Sequence, residues 1–464
     1  MINKKITILG SGPVGVISAC YLLEKGYSVT IIDNSEVKKS SIDSQKFAFK
    51  KNLNQIFSNF YKTSLKNKIT LPISSHSIGG FTEVWGGTID LFNKKEQLDW
   101  GFNNDDFIEK ILYIFKKLEL DIAPNVLNPS KLTNTNHDMY DEIFLELVKN
   151  LNKNKEKLIK DDLFHKLSLI AIKDGKIWSS SSLLSSLKTQ YQKQINHLTD
   201  FEVRHINEIN DEICLISQNN KKIIIKNSKL LIATGAFSTS ILMCKLMKLK
   251  SFKLLDSKLQ IMPLIWIGKR PAYNSDKSYP QLFFELLRKR KGELSIRSQL
   301  YCINKPLLES LDNELSFVRR LMIILSSILR DRLFINFIYS HSNDSTHYIF
   351  NIQNDDFKVK QIVRKNNDDF LFTFKKFAKS ILRTKLIPIP IKKNFNTYGS
   401  FHIGSFSGVN GENKQELRLN NLGQYSKKSN IHAIDSSVLK SIPSGPITFT
   451  AMANALKIVE EVTK

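Results

Sequence analysis

The chain has 464 residues, 42% of them hydrophobic and 10% aromatic, enough apolar material for the cores of two or three domains, which excludes a disordered polymer. Its formal net charge of +24 is spread along the whole length with only short clusters such as Arg288-Lys-Arg-Lys291 and no reader motif, so a lysine-rich surface is expected and no nucleic-acid partner; peripheral contact with an anionic membrane, or phosphorylated substrates, stays open. Cys20, Cys214, Cys244 and Cys302 form no CxxC and the nine histidines show no HExxH spacing, which argues against a disulfide framework and predicts no metal site.

In chain order, Lys5-Ile-Thr-Ile-Leu9 reads as an apolar strand and Gly10-Ser11-Gly12-Pro13-Val14-Gly15 as a glycine turn. A helix follows from about Val14 to Leu23, and then a second strand, Tyr27 to Ile32, ending at Asp33. Gly10 allows the tight turn, Gly12 lets backbone approach a pyrophosphate, and Gly15 lets the helix pack closely on the strand. The helix N-terminus offers free N–H groups and a partial positive charge to that pyrophosphate. Asp33 falls where a carboxylate binds a ribose 2′-hydroxyl, which favours FAD or NAD over NADP. Lys4 and Lys5 before an apolar run, with Ile17-Ser-Ala-Cys20, mimic a secretory signal, but cleavage there would remove the fingerprint, and its glycines and Pro13 would break the helix a signal core needs. With no apolar run of about 18 residues, the expectation is a cytoplasmic protein that does not span a membrane.

Residues 34–70 are polar and lysine-rich, a linker or excursion. Gly79-Gly80-Phe-Thr82-Glu-Val-Trp85-Gly86-Gly87 sets two glycine pairs around a tryptophan; this suits backbone packed on a flat ligand with Trp85 as a wall, and equally a glycine turn with a core Trp. Residues 93–200 read as largely helical, with helices over Asp105 to Leu118 and Met139 to Leu151. Phe201-Glu-Val203-Arg-His-Ile206 and Lys222 to Lys226 are β-rich and lead into Leu230-Leu-Ile-Ala-Thr234-Gly235-Ala236, a buried strand ending in a turn. Leu259 to Ile267, Arg332 to Ser340 and Tyr348 to Gln353 predict an antiparallel sheet. Leu315 to Leu329 predicts an apolar helix too short to span a bilayer, a core helix of a second domain in preference to an interfacial one. The C-terminal region carries Tyr398-Gly-Ser-Phe-His402-Ile-Gly404, Ile434-Asp435-Ser436-Ser437 and Pro446-Ile447-Thr448-Phe-Thr-Ala-Met-Ala453. Taken alone, His402 is a histidine at a strand end and Asp435-Ser-Ser437 a capped helix start.

Together, in order and spacing, these blocks resemble the glucose-methanol-choline (GMC) flavoprotein oxidoreductases. The resemblance lies at both ends of the chain and in a short block near residue 230, while the middle carries none. It implies an α/β protein. An FAD-binding Rossmann-like domain with a parallel sheet would comprise residues 1–92, 197–250 and 396–464. A substrate domain with an antiparallel sheet and helices would comprise 93–196 and 251–395. It further implies that FAD is held by the Gly10–Asp33 unit and the Gly79–Gly87 loop. Val203 would lie near the adenine, Thr234 and Gly235 would pass close to the cofactor, and Asp435 with Ser436 would reach its ribityl or pyrophosphate part. Ile447 and Thr448 would open a helix aimed at the flavin pyrimidine, where the dipole suits the negative charge of the reduced ring. Relatives that attach flavin through a histidine carry it at the position of Val84, which has no nucleophile, and His76 lies before the glycines, so non-covalent FAD is expected. The implied reaction is hydride transfer from a CH–OH group of an alcohol or sugar-like small molecule to flavin N5, with His402 as base and an electron acceptor the sequence does not name. Relatives pair this histidine with a second His or an Asn; the aligned positions are Ser444, which can hydrogen-bond a substrate oxygen, and Gly445, which cannot. The alternatives are non-redox lyase or isomerase chemistry on the same fold and an inactive FAD-binding interaction protein.

Overall fold

The computed structural model describes residues 4–34, 75, 77–83, 85–91, 94–122, 140–209, 211–268, 277, 279–287, 295–302, 332–345, 347–353, 356–362, 369–390, 393–394, 402–410 and 415–464. The expected helix at 315–329, the linker beyond residue 34, the 288–291 basic cluster, His76 and Val84 lie outside them.

Lys5–Leu9 is the middle strand of a five-stranded sheet in the order Ile431–Ala433, Lys229–Ile232, Lys5–Leu9, Ser28–Ile32, Ile195–Leu198, parallel at every pairing. Such strands are covered on both faces and read as continuous apolar runs, as Lys5–Leu9 and Lys229–Ile232 do. Ile6 and Ile8 pack into a core shared with the helices Pro13–Glu24 and Thr448–Thr463, while Leu9 and Ile232 face a second core with the helix Ala236–Leu246. Two glycines make this packing geometrically feasible. A Cβ on Gly15 would stand 2.1 Å from the Gly10 carbonyl oxygen, and one on Gly10, whose φ is +96°, would stand 2.5 Å from that of Ala233.

The expected antiparallel sheet holds more strands than the sequence suggested but not the expected strand Tyr348–Gln353, which pairs in a separate sheet with Ser251–Asp256, because strand periodicity does not name a partner. The strands of the large sheet run in the order Leu386–Pro388, Lys258–Trp266, Leu333–Ser340, Ile296–Cys302, Leu282–Leu286, Leu163–Leu167, with Lys393–Asn394 also on Lys258–Trp266. Met262, Leu264, Phe284, Leu300, Phe334 and Ile338 alternate to one face and form a core with the helices Glu142–Lys153 and Asp369–Ser380. A further five-stranded sheet runs Asp356–Ile362, His347–Gln353, Ser251–Asp256, Ile403–Asn410, Gln415–Leu417, and Val203–Ile209, Glu212–Ser217 and Lys222–Lys226 form a three-stranded one.

Packing crosses the expected domain boundaries in two places. The helix Asn104–Leu118, expected beyond residue 92 in the second domain, turns Phe107, Ile111, Ile114 and Leu118 into the core of the parallel sheet, and Lys110 Nζ meets Glu460 Oε2 of the C-terminal helix at 2.5 Å. Ser251–Asp256, expected after the 250/251 boundary, pairs with Ile403–Asn410 from the C-terminal block. Helical spacing says which face of a segment is apolar but not which core receives it.

A buried charge cluster joins the large sheet to the chain that leaves the Gly79 loop. Arg297, 4% exposed, donates to both carboxylate oxygens of Glu96 at 2.9 and 2.8 Å and to Glu285 at 3.1 Å, and its Nε lies 3.4 Å from Asp90, which also receives Lys166 Nζ at 3.0 Å. Burial alone would lower the guanidinium pKa, but Glu96, Asp90 and Glu285 override it and hold the charge. Arg297→Met should therefore destabilise the protein by about 3–5 kcal/mol in denaturant titration at neutral pH, because the carboxylates are left without their cation. A loss under about 1 kcal/mol would mean that water compensates them.

Candidate active site

The glycine turn builds a cradle at the end of the helix Pro13–Glu24. Gly12 is its N-cap with φ −65° and ψ 178°, and no side chain caps the helix. The first-turn N–H groups of an α-helix have no intrahelical acceptor, so they face outward here. A Cβ on Gly12 would meet nothing within 4 Å, so the absence of a side chain leaves open space at the helix end. The Gly79 loop lies directly against it: a Cβ on Gly80 would stand 3.3 Å from Gly12 Cα, and Gly79 N donates to Ser11 Oγ at 3.1 Å. Ser11 N donates to Asp33 Oδ2 at 3.1 Å, Ser11 Oγ donates to the same oxygen, and Asn34 N donates to Oδ1 at 2.9 Å. Burial raises the Asp33 pKa while these bonds hold it down. Val14 is buried in the core and can offer only its backbone. The sequence reading missed His197, whose Nε2 lies 3.9 Å from Asp33 Oδ2 while Lys188 Nζ contacts Nδ1 at 2.7 Å. Burial, then the charge of Lys188, pushes His197 down to about 4, so it is neutral near pH 7. Open space, uncapped N–H groups and an acid at the neighbouring strand end fit the pyrophosphate and ribose of a dinucleotide such as FAD.

The second loop is fixed by three partners. Thr82 Oγ1 donates to Gly79 O at 2.7 Å and accepts from Ser180 N at 2.9 Å, and Glu83 accepts from Ser181 N and Oγ at 3.3 and 3.0 Å, capping the helix Ser180–Gln190. Trp85 Nε1 donates to Trp178 O at 2.8 Å, and its ring stacks on Phe449 with centroids 6.4 Å apart. Trp85 thus ties the loop to the first turn of Thr448–Thr463, whose N-cap Ile447 supplies no side-chain cap. Gly86 and Gly87 lead into Thr88–Ile89, and Gly87, at φ +64°, has Ile177 Cγ2 2.8 Å from where its Cβ would be.

Asp435 is buried, accepts from Thr239 Oγ1 at 2.5 Å and from Ser437 N at 2.9 Å, and caps the short turn Ser436–Val438. Burial raises its pKa against those bonds. Thr234 Oγ1 lies 2.9 Å from Thr239 Oγ1, and Gly235, at φ +86°, faces open space as Gly12 does. Ser436 Oγ donates to Ile403 O at 2.9 Å, which fixes the strand after His402. Val203 opens its strand half-buried, two residues beyond Phe201, whose N donates to Asp33 O at 3.1 Å.

His402 lies where the C-terminal block meets the large sheet. Its ring centroid is 5.0 Å from that of Tyr339, tilted by 34°. Burial pushes its pKa down to about 4, so at neutral pH the imidazole is uncharged and keeps a lone pair for a proton. Ser444 is fully buried and donates its hydroxyl to Ser295 O at 2.8 Å, which leaves it only as an acceptor. Ser342 Oγ accepts from Ile442 N at 2.9 Å, so segment 442–444 is bound to the end of the strand Leu333–Ser340. Tyr339, Tyr301 and Gln299 share this sheet face and were not foreseen; the one signal for them is the alternation of Arg297, Gln299 and Tyr301 within a buried strand. Among the described residues no three His, Cys, Asp or Glu side chains converge as a metal site.

No family model and no curated protein matches the chain by sequence. Solved structures do match by shape. Pyridoxine 4-oxidase from Mesorbium loti superposes with a TM-score of 0.67 at 11% identity, covering 99% of both chains. Two variants of formate oxidase from Aspergillus oryzae, reported for their effect on FAD modification, superpose with TM-scores of 0.64 and 0.65 at 12% and 10% identity, over 99% of this chain and 98% of theirs. Over 99% of its length the chain therefore shares the fold of these oxidases, a parallel-sheet domain joined to a larger antiparallel sheet, which is the fold that the resemblance to the GMC flavoproteins implies.

Proposed function

We propose that the protein binds FAD without a covalent bond and oxidises the CH–OH group of a small-molecule alcohol, with His402 as the base. The observation that carries this reading is a neutral, buried imidazole delivered to the sheet face by the same C-terminal block that brings Asp435 and the helix Thr448–Thr463 to the cradle. FAD bound there supplies the hydride acceptor. The chain's own part is to hold the pyrophosphate at Gly12 and the ribose at Asp33, to exclude water with Trp85 and Tyr339, and to take the hydroxyl proton at a His402 ring nitrogen. Pyridoxine 4-oxidase and formate oxidase, two of the proteins that share the fold, are oxidases by name, which supports redox chemistry over the lyase and binding-protein readings. Cys20, Cys214, Cys244 and Cys302 form no disulfide, which suits a reducing cytoplasm.

Purified protein should be yellow, and acid precipitation should leave the colour in the supernatant, since Val84 offers no attachment point. Colour held in the pellet would refute the non-covalent assignment. Anaerobic addition of alcohols, polyols and sugars should bleach the flavin with at least one alcohol. A bound flavin that no member of the panel bleaches would transfer the case to non-redox chemistry.

A further inference from the structure

We propose that His197 is a second reader of the adenosine ribose: its Nε2–H and the Asp33 carboxylate grip one 2′-hydroxyl between them, which accepts from the first and donates to the second. This rests on the FAD reading above and adds to it a specificity-determining residue supplied by a different strand.

Both side chains rise on one face of the parallel sheet. His197 pairs with Ile31, and Asp33 follows Ile31 by two residues, so strand alternation brings both groups to the face that carries the helix Pro13–Glu24. The imidazole is 2% exposed, and its two nitrogens are in different situations. Lys188, on the helix Ser180–Gln190 that precedes this strand, puts Nζ 2.7 Å from Nδ1. An ammonium only donates, so Nδ1 accepts and the ring proton of the neutral imidazole sits on Nε2. That N–H has no hydrogen-bond partner in the protein. Asp33 Oδ2 is 3.9 Å away, beyond the reach of about 2.7–3.2 Å of an N–H···O bond.

Asp33 is the opposite kind of group. Ser11 N, Ser11 Oγ and Asn34 N all donate into its carboxylate, which marks it as an acceptor. The gap therefore separates a buried donor from an acceptor, each too far off to satisfy the other. A group that fills it must accept on one side and donate on the other. A hydroxyl does both, whereas a deoxy carbon does neither and a phosphate dianion cannot donate. A buried N–H without an acceptor is costly, so a nucleotide that brings this hydroxyl is favoured over one that lacks it. Water meets the same demand, and the experiment separates the two.

The test uses the full-length protein freed of flavin and titrated calorimetrically with FAD, ADP and 2′-deoxy-ADP. The last two carry no flavin, so the readout is independent of any redox chemistry. FAD and ADP should bind, and ADP should bind about a hundredfold more tightly than its deoxy analogue, which gives up one hydrogen bond to a charged acceptor and one to a neutral donor. In His197→Phe, which keeps a flat ring but has no donor, that preference should fall about tenfold, leaving the share that belongs to Asp33. His197→Gln, whose amide can accept from Lys188 and donate toward the gap, should keep most of it, which a merely structural histidine does not predict. If the phenylalanine variant does not fold, nitrogen NMR of histidine-labelled wild type decides. The Nε2–H signal that disappears in His197→Gln should shift further at saturation with ADP than with 2′-deoxy-ADP. Equal affinities for the two nucleotides, equal shifts, or a preference that survives His197→Phe unchanged overturns the inference, with water or Asp33 alone then accounting for the gap, and leaves FAD binding standing. A wild-type protein that takes up neither FAD nor ADP overturns the FAD reading and this inference with it.

Discussion

Gly12→Val is expected to keep its fold and lose its FAD. The backbone at Gly12 has an ordinary extended conformation and its Cβ position touches no protein atom, so nothing in the fold itself requires glycine there. The FAD-free variant should lose no more than about 1 kcal/mol of stability, the cost of a poorer N-cap at a position that otherwise meets open space. The FAD dissociation constant should rise by about two orders of magnitude or more, because the side chain would part the pyrophosphate from the helix N–H groups. Gly15→Ala is the contrasting control. Its Cβ would stand 2.1 Å from the Gly10 carbonyl, and it should lose stability by about 3 kcal/mol or more whether or not cofactor is present. Thermal melts with and without FAD separate the two. A Gly12→Val protein that retains FAD as the wild type does would remove the cradle from the binding site.

His402→Ala should retain FAD and slow substrate-driven flavin reduction by about 10²- to 10⁴-fold, the range for loss of a positioned general base. The pH dependence sharpens the test. Burial lowers the His402 pKa to about 4, so its basic form is already complete above about pH 5, and the wild-type rate should be flat from there to about pH 8 and fall as the ring is protonated below. The alanine variant should show no such acid limb. The sequence reading placed this titration between about pH 6 and 8, the range of an ordinary imidazole. A measured midpoint there would mean that bound flavin or substrate returns the ring to its ordinary value. A variant as fast as the wild type across this range would leave His402 without a chemical role.

What the sequence revealed was what short-range spacing encodes. The strand Lys5–Leu9, the helix Pro13–Glu24 and the strand Ser28–Ile32 lie where the glycine turn and its flanking apolar runs put them, and Asn104–Leu118, Leu333–Ser340 and His347–Gln353 begin within a residue of their expected starts. Long-range partnership was not legible. Nothing in Ser251–Asp256 says that it pairs with Ile403–Asn410, and nothing around Glu83 says that it caps the helix at Ser181. Ser444 is the instructive candidate: block order singled it out, but the use of its hydroxyl on Ser295 O depends on how the C-terminal segment meets the sheet. The same holds for His402, whose depressed pKa is a property of what covers it, and for His197, whose idle Nε2 shows only once Lys188 is seen to hold Nδ1.

The strand order of the parallel sheet also constrains how the molecule is made. The glycine turn emerges from the ribosome before the other strands of this sheet, yet Lys5–Leu9 must wait for Lys229–Ile232 to be synthesised before it gains that neighbour, and Lys229–Ile232 must wait for Ile431–Ala433. Its crossing helix packs against Thr448–Thr463, which comes later still. Contacts so distant in sequence are slow to close. The parallel sheet is thus begun early in synthesis and completed late, so nascent chains interrupted before about residue 430 should expose an unfinished sheet edge, the kind of surface that recruits chaperones or aggregates.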